Sequence, residues 1–185
     1  MKQITLIRHA KVNIDNAKKI NAYALQKWVK EYDAAPIHDK SLPSDATITL
    51  AKSADVVLTS SLKRAIDSAS VLGLEVHEKN EIFNEAAIPE VSIPYLKLKP
   101  KVWLVILRVL LILGLGKKNN SLKASKAQAK QAAQRLMSMS KEHEHVVLIG
   151  HGGMNWLMAK ALVKEGWVLE GKGSHENWGA SVFRK

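Results

Sequence analysis

The stretch Ile4-Thr5-Leu6-Ile7-Arg8-His9 decides the fold, because the chain uses the same grammar twice more. Val56-Val57-Leu58-Thr59-Ser60 leads into Ser61-Leu62-Lys63-Arg64-Ala65, and Val146-Val147-Leu148-Ile149-Gly150 leads into His151-Gly152-Gly153. Short apolar runs bounded by polar residues and glycine read as buried strands. Each run therefore delivers a cation, or a histidine that can become one, to the point where strand gives way to loop or helix. In open α/β sheets, ligands bind outside the carboxyl ends of the strands. Arg8, Arg64, His9 and His151 gathered there describe a pocket for a tetrahedral oxyanion. The planar guanidinium fork matches phosphate bidentately, and a charge-assisted bond is about twice as strong as a neutral one.

The segments between these runs alternate in type. Asn16 to about Tyr32 reads as a helix, with Ile20, Ala24, Trp28 and Tyr32 at four-residue spacing. Asp45 is expected to cap a short helix over 46–52, and a helix from about Leu62 to Leu72 should stop at Gly73. Leu74–His77 reads as a short strand. Ser121 is expected to cap a helix reaching Lys141 with a stripe of Leu122, Ala129, Ala133 and Leu136. A helix over 153–165 and a strand near Ala180–Phe183 follow. This alternation predicts an α/β fold, a three-layer α/β/α sandwich around a mostly parallel central sheet. Residues 1–185 are expected to form a single domain. Pro89, Pro94 and Pro100 exclude one regular element over 84–100. That stretch, with the apolar helix after it, reads as a small inserted cap segment at about 84–120.

Composition narrows the chemistry. Hydrophobic residues make up 46% and charged residues 24%, the balance of a water-soluble globular chain. The absence of cysteine excludes disulfides, zinc–thiolate sites and thiol catalysis. With only a short apolar run before Arg8, no secretory signal is expected, and the reading is a cytoplasmic protein. The apolar run Val102–Leu113 carries Arg108 at its middle and falls short of the ~20 residues a bilayer span needs. No membrane span is expected. A core helix is favoured over one lying on a membrane surface or a partner.

No acidic residue stands between Glu90 and Glu142, whereas eleven Lys and Arg do, and they account for the whole net charge of +11. The stretch is expected to draw an anionic substrate toward the pocket or to form a solvated face. Nucleic acid and anionic membrane are the less favoured partners. His143 and His145 could begin a metal site, but no third ligand is identified, and no Gly-rich nucleotide loop is present. Neither metal nor cofactor is expected.

Three blocks carry a family resemblance. Leu6-Ile7-Arg8-His9-Ala10, Thr59-Ser60-Ser61-Leu62-Lys63-Arg64-Ala65 and Ile149-Gly150-His151-Gly152 resemble, in order, the signature blocks of the histidine phosphatase superfamily. These are the phosphoglycerate-mutase-like, two-histidine phosphatases, and the likeness runs from near the start to beyond residue 150. It implies hydrolysis of a phosphomonoester, a small phosphorylated metabolite, through a phosphohistidine and without a cofactor. His9 would be the nucleophile, Arg8 and Arg64 the phosphate clamps, and His151 a donor to the transferring group.

The general acid falls among Glu78, Glu81, Glu85 and Glu90. Glu85 is preferred because Phe83-Asn84-Glu85-Ala86-Ala87-Ile88-Pro89 resembles the Glu-Ala block of one branch; Glu90 is the alternative. Ala10 stands where many members carry glycine, and the mutases' Glu-Arg-x-Tyr-Gly type of motif has no counterpart. Hydrolysis is therefore favoured over mutase-type phosphoryl transfer. It is favoured over a protein phosphohistidine phosphatase, whose substrate surface a cap would crowd, and over a non-catalytic phosphate- or nucleic-acid-binding module. The residues fix neither the substrate nor the oligomeric state.

Overall fold

A computed structural model describes residues 1–86, 93, 95–113 and 122–185 of the protein. Pro89, Pro94, the alternative acid Glu90 and the expected cap Ser121 lie outside the described residues. The elements, in order, are β1 (Gln3–Arg8), α1 (Ala22–Ala34), α2 (Asp45–Lys52), β2 (Val56–Thr59), α3 (Lys63–Val71), β3 (Glu78–Lys79), α4 (Pro100–Ile112), α5 (Leu122–Glu142), β4 (His145–Gly150), α6 (Gly152–Lys164), β5 (Val168–Glu170) and β6 (Ala180–Arg184).

The strands form one six-stranded sheet in the order β3-β2-β4-β1-β6-β5. The first four of that order run parallel, and β6 and β5 complete the sheet antiparallel. Register is what builds the site. Arg8 lies opposite Gly150, and Thr59 opposite Ile149, so the carboxyl ends of β1, β2 and β4 are level. Whatever follows those strands must meet.

Alternate side chains of each central strand face opposite layers, as the pleat requires. Ile4, Leu6, Val56, Leu58, Val146 and Leu148 pack with α5 and α6 through Ala129, Ala133, Leu136, Met154 and Met158. Ile7, Val57, Val147 and Ile149 pack with α2 and α3 through Ala51, Ala65 and Ala69. These three layers are the α/β/α sandwich expected from the sequence. A third cluster joins Ala22, Leu25 and Trp28 of α1 to Trp103 and Leu107 of α4.

Several boundaries differ from the sequence reading. The helix expected from Asn16 begins only at Ala22, where the Asn21 side chain accepts from the Ala24 N–H. Ile20 is held out of the helix because its backbone exchanges both hydrogen bonds with Leu98, a partner far away in sequence. Ser44, not Asp45, caps α2, its hydroxyl accepting from the Thr47 N–H. The strand expected at Leu74–His77 lies at Glu78–Lys79, because it pairs with Leu58 and Thr59 at the far end of β2. Strand β5 was not expected; all three of its residues are exposed, so no alternation marks it.

The largest correction concerns α4. The core-helix reading holds for one side only: Trp103 and Leu107 are buried on α1, while Val102, Val105, Val109 and Leu113 are 44–66% exposed. No helix among the described residues is long and apolar enough to cross a membrane.

Candidate active site

His9 follows the last residue of β1, and its position is fixed at three points. Its own N–H donates to the Gly150 carbonyl at 3.0 Å, its carbonyl accepts from Asn177 Nδ2 at 2.8 Å, and its ring Nδ1 meets the Ala10 carbonyl at 2.6 Å. A carbonyl can only accept, so Nδ1 carries the proton and Nε2 keeps its lone pair. Among the described residues, no donor or acceptor engages Nε2. Burial, then Arg64 and Arg8, hold the His9 pKa down to about 3. The imidazole is therefore neutral across ordinary pH, as a nucleophile must be.

The Arg8 guanidinium is anchored at Nη1 and unpartnered at Nε. Its Nη1 donates to the His175 carbonyl at 2.7 Å, while its buried Nε has no partner. Such an orphaned donor is costly unless a ligand accepts from it. Gly152 makes room here: a Cβ on it would sit 3.4 Å from Arg8 Nε. Arg64, in the first turn of α3, is buried, stacks at 4.8 Å over the Tyr32 ring, and donates from Nη1 to Asp33 Oδ1 at 2.6 Å. Its Nε donates to His151 Nδ1 at 3.3 Å.

His151 is fully buried, with its ring centroid 5.1 Å from that of His9. Because Nδ1 accepts from Arg64, the proton sits on Nε2, which donates to Ser60 Oγ at 2.7 Å. Both ring nitrogens are thus engaged within the protein, an arrangement the sequence reading did not foresee. Burial, Arg64, His9 and Arg8 push its pKa well below the ordinary value.

Glu85 closes the site opposite. Its Oε1 accepts from the Met154 N–H at 2.9 Å, and its Oε2 accepts at 3.3 Å from both the Gly153 N–H and Arg108 Nη2. The carboxylate thereby caps α6, where free N–H groups and the helix dipole favour negative charge. A Cβ on Gly153 would come within 2.8 Å of Glu85 Oε1, so a side chain there would make the carboxylate shift from the end of α6.

Arg8, His9, Arg64 and Glu85 all border one cavity of about 620 Å3. His151 stands behind it. Among the described residues, five cations line the cavity (Arg8, Lys11, Arg64, Lys101 and Arg108) against two carboxylates, Asp33 and Glu85. The rest of its wall is largely apolar, from Val12, Trp28, Val29, Leu62, Leu104 and Val105. Sequence reasoning missed Asp33, Tyr32 and Asn177. Only Arg108, alone in an apolar run, carried a visible signal. The possible metal pair does not form: His145 is buried and bonded to Gln3, Thr5 and Ser53, and among the described residues no three His, Asp or Glu converge on a metal position.

The buried neutral histidines set an acid limit on stability. An unfolded imidazole titrates near 6.5, whereas His9, His145 and His151 are all depressed, chiefly by burial. Below pH ~6.5 the unfolded chain binds protons the folded one refuses, so stability falls as pH drops toward the folded values. The denaturant midpoint is expected to decline between pH ~7 and ~4.5, above the carboxylate range, and less so in His9→Asn. A midpoint constant over that window would contradict the placement of these rings.

No family model matches the chain, and no curated protein matches it. Solved structures do. A phosphoserine phosphatase mutant from Entamoeba histolytica, in complex with phosphoserine, is 14% identical with a TM-score of 0.60, covering 98% of this chain and 90% of that one. An open reading frame product of Mycobacterium tuberculosis gives the same figures. A mycobacterial glucosyl-3-phosphoglycerate phosphatase is 16% identical with a TM-score of 0.55, over 88% of this chain and 80% of that one. The chain has the fold of these solved structures, two of them phosphatases by name.

Proposed function

We infer that the protein is a histidine phosphatase, a phosphoric monoester hydrolase acting on small phosphorylated metabolites through a phosphohistidine. One observation carries the reading: His9 Nε2 is unprotonated and unengaged at a cavity that Arg8, whose Nε lacks a partner, also borders, at the shared carboxyl edge of β1, β2 and β4. A nucleophile and an empty anion donor at one cavity are what phosphoryl transfer requires, since that chemistry rests on positioning and charge. The phosphatases that share the fold act, by their names, on phosphoserine and glucosyl-3-phosphoglycerate, which supports a monoester substrate.

In the proposed reaction, His9 Nε2 attacks phosphorus and the ester P–O bond breaks. Glu85 takes up a proton from water as the phosphate dianion enters beside it, and gives that proton to the leaving alkoxide. Water, deprotonated by Glu85, then attacks the phosphohistidine, releasing inorganic phosphate and returning neutral His9. Arg8 and Arg64 hold the equatorial oxygens, where charge spreads in flight. An arriving dianion competes with His151 Nδ1 for the Arg64 Nε–H; once it wins, Nδ1 takes a proton from water and donates it in a hydrogen bond to the phosphoryl group. The segment around 84–120 acts as the cap of a single domain, and the cysteine-free chain suits the cytoplasm.

A screen of phosphorylated metabolites for phosphate release tests this. Hydrolysis of monoesters, undiminished by a chelator, is expected, because Arg8 and Arg64 already supply the cationic charge. Hydrolysis of no monoester would reject the reading. Activity lost to chelation and restored only by a divalent ion would reject the metal-free mechanism.

A further inference from the structure

The cavity borders a helix that also carries an exposed apolar face. Positions 101, 104, 105 and 108 share the side of α4 that borders the cavity, while 103 and 107 hold the opposite side on α1. Residues 102, 105, 109 and 113 form a third, outward stripe at three- and four-residue spacing, exposed by 44, 59, 48 and 66%. Val105 belongs to both surfaces. The apolar wall of the cavity thus runs over the rim without interruption onto an apolar helix face.

Charge says what that face meets. Lys97 and Lys99 just before α4, and Lys101 and Arg108 within it, are all exposed, and neither α4 nor the described residues leading into it, 93 and 95–99, contain a carboxylate. A helix with an outward apolar stripe and flanking cations is the form that lies in the plane of an anionic lipid surface, the lysines reaching headgroups while the stripe enters the acyl boundary.

Resting on the phosphatase reading above, we propose that α4 seats on an anionic lipid surface and that the substrate is the phosphate monoester of a membrane amphiphile. Its phosphate lies between Arg8 and Arg64. Its apolar tail leaves past Leu104 and Val105 along α4. The ester bond broken and the water consumed are those of the hydrolysis already described, so the products are inorganic phosphate and the neutral lipid alcohol.

The test uses the full chain and two kinds of vesicle, phosphatidylcholine alone and phosphatidylcholine mixed with phosphatidylglycerol. Co-sedimentation with the mixed vesicles, reversed by salt, and little with phosphatidylcholine is expected. Val102 and Val109 do not border the cavity, so the double variant Val102→Asp/Val109→Asp should still hydrolyse a soluble aryl phosphate at the wild-type rate. Its vesicle binding should fall on the order of a hundredfold, as should its turnover of diacylglycerol phosphate embedded in those vesicles. Lys97→Glu/Lys99→Glu should weaken binding to the mixed vesicles by about fivefold or more per charge, again sparing the soluble substrate.

A protein that binds neither vesicle, or a valine variant that binds like the wild type, overturns the proposal. So does a dimer that the valine substitutions dissociate, which would assign the face to a second copy. Soluble monoester hydrolysis without vesicle binding rejects this inference and spares the phosphatase. Vesicle binding without hydrolysis of any monoester rejects the phosphatase and leaves the surface assignment standing.

Discussion

His9→Ala is expected to lower kcat by on the order of 10⁴–10⁶-fold, the range found when a covalent nucleophile is removed from an otherwise intact site. Inorganic phosphate should still bind within a few-fold of the wild type. The reason is geometric: Arg8 is anchored by the His175 carbonyl and Arg64 by Asp33, so neither clamp depends on the His9 ring. The backbone bonds of residue 9 to Gly150 and Asn177 do not involve the ring either, so the strand end stays in place. Steady-state kinetics on a soluble monoester and calorimetry with phosphate separate the two effects. A variant that turns over at the wild-type rate would remove His9 from the chemistry; loss of phosphate binding along with turnover would make it a structural residue.

Glu85→Gln should slow an alkyl phosphate by about 10²–10⁴-fold and an aryl phosphate far less. An alkoxide leaves badly without a proton, whereas a nitrophenolate needs little help. Gln keeps an oxygen to accept from the Met154 N–H, so the cap of α6 survives and the comparison isolates the proton. Equal slowing of both substrates would mean that Glu85 positions the helix end or the phosphate rather than serving as the acid. Among the described residues the other carboxylate bordering the cavity is Asp33, and Asp33→Asn is the matching control. A selective loss there would transfer the assignment.

The parts of this site that were legible from the sequence are those whose signal is local. β1, β2 and β4 announce themselves as continuous apolar runs because both faces of a central parallel strand are covered. Once three such strands are parallel and level, the residues after them must converge, and Arg8, His9 and Arg64 do so at one cavity, with His151 directly behind.

What stayed hidden depends on contacts between distant segments. Ile20 fits the spacing of a helix but is taken by Leu98, and no local pattern encodes that bridge. Asp33 and Asn177 look like ordinary solvated residues until the fold brings Asp33 to Arg64 and Asn177 to the His9 carbonyl. The same limit applies to α4. Its apolar composition says that it must be covered, and only the structure shows that, among the described residues, α1 covers one side while Val102, Val105, Val109 and Leu113 stay exposed on the other.

The central claim is a covalent phosphoryl–His9 intermediate, and rapid-quench trapping with a labelled monoester addresses it directly. Denaturing base within the first turnover should capture label on a peptide containing His9, stable to base, lost in acid and absent from His9→Ala. Steady hydrolysis with no protein-bound label, or with label that withstands acid, would contradict the account.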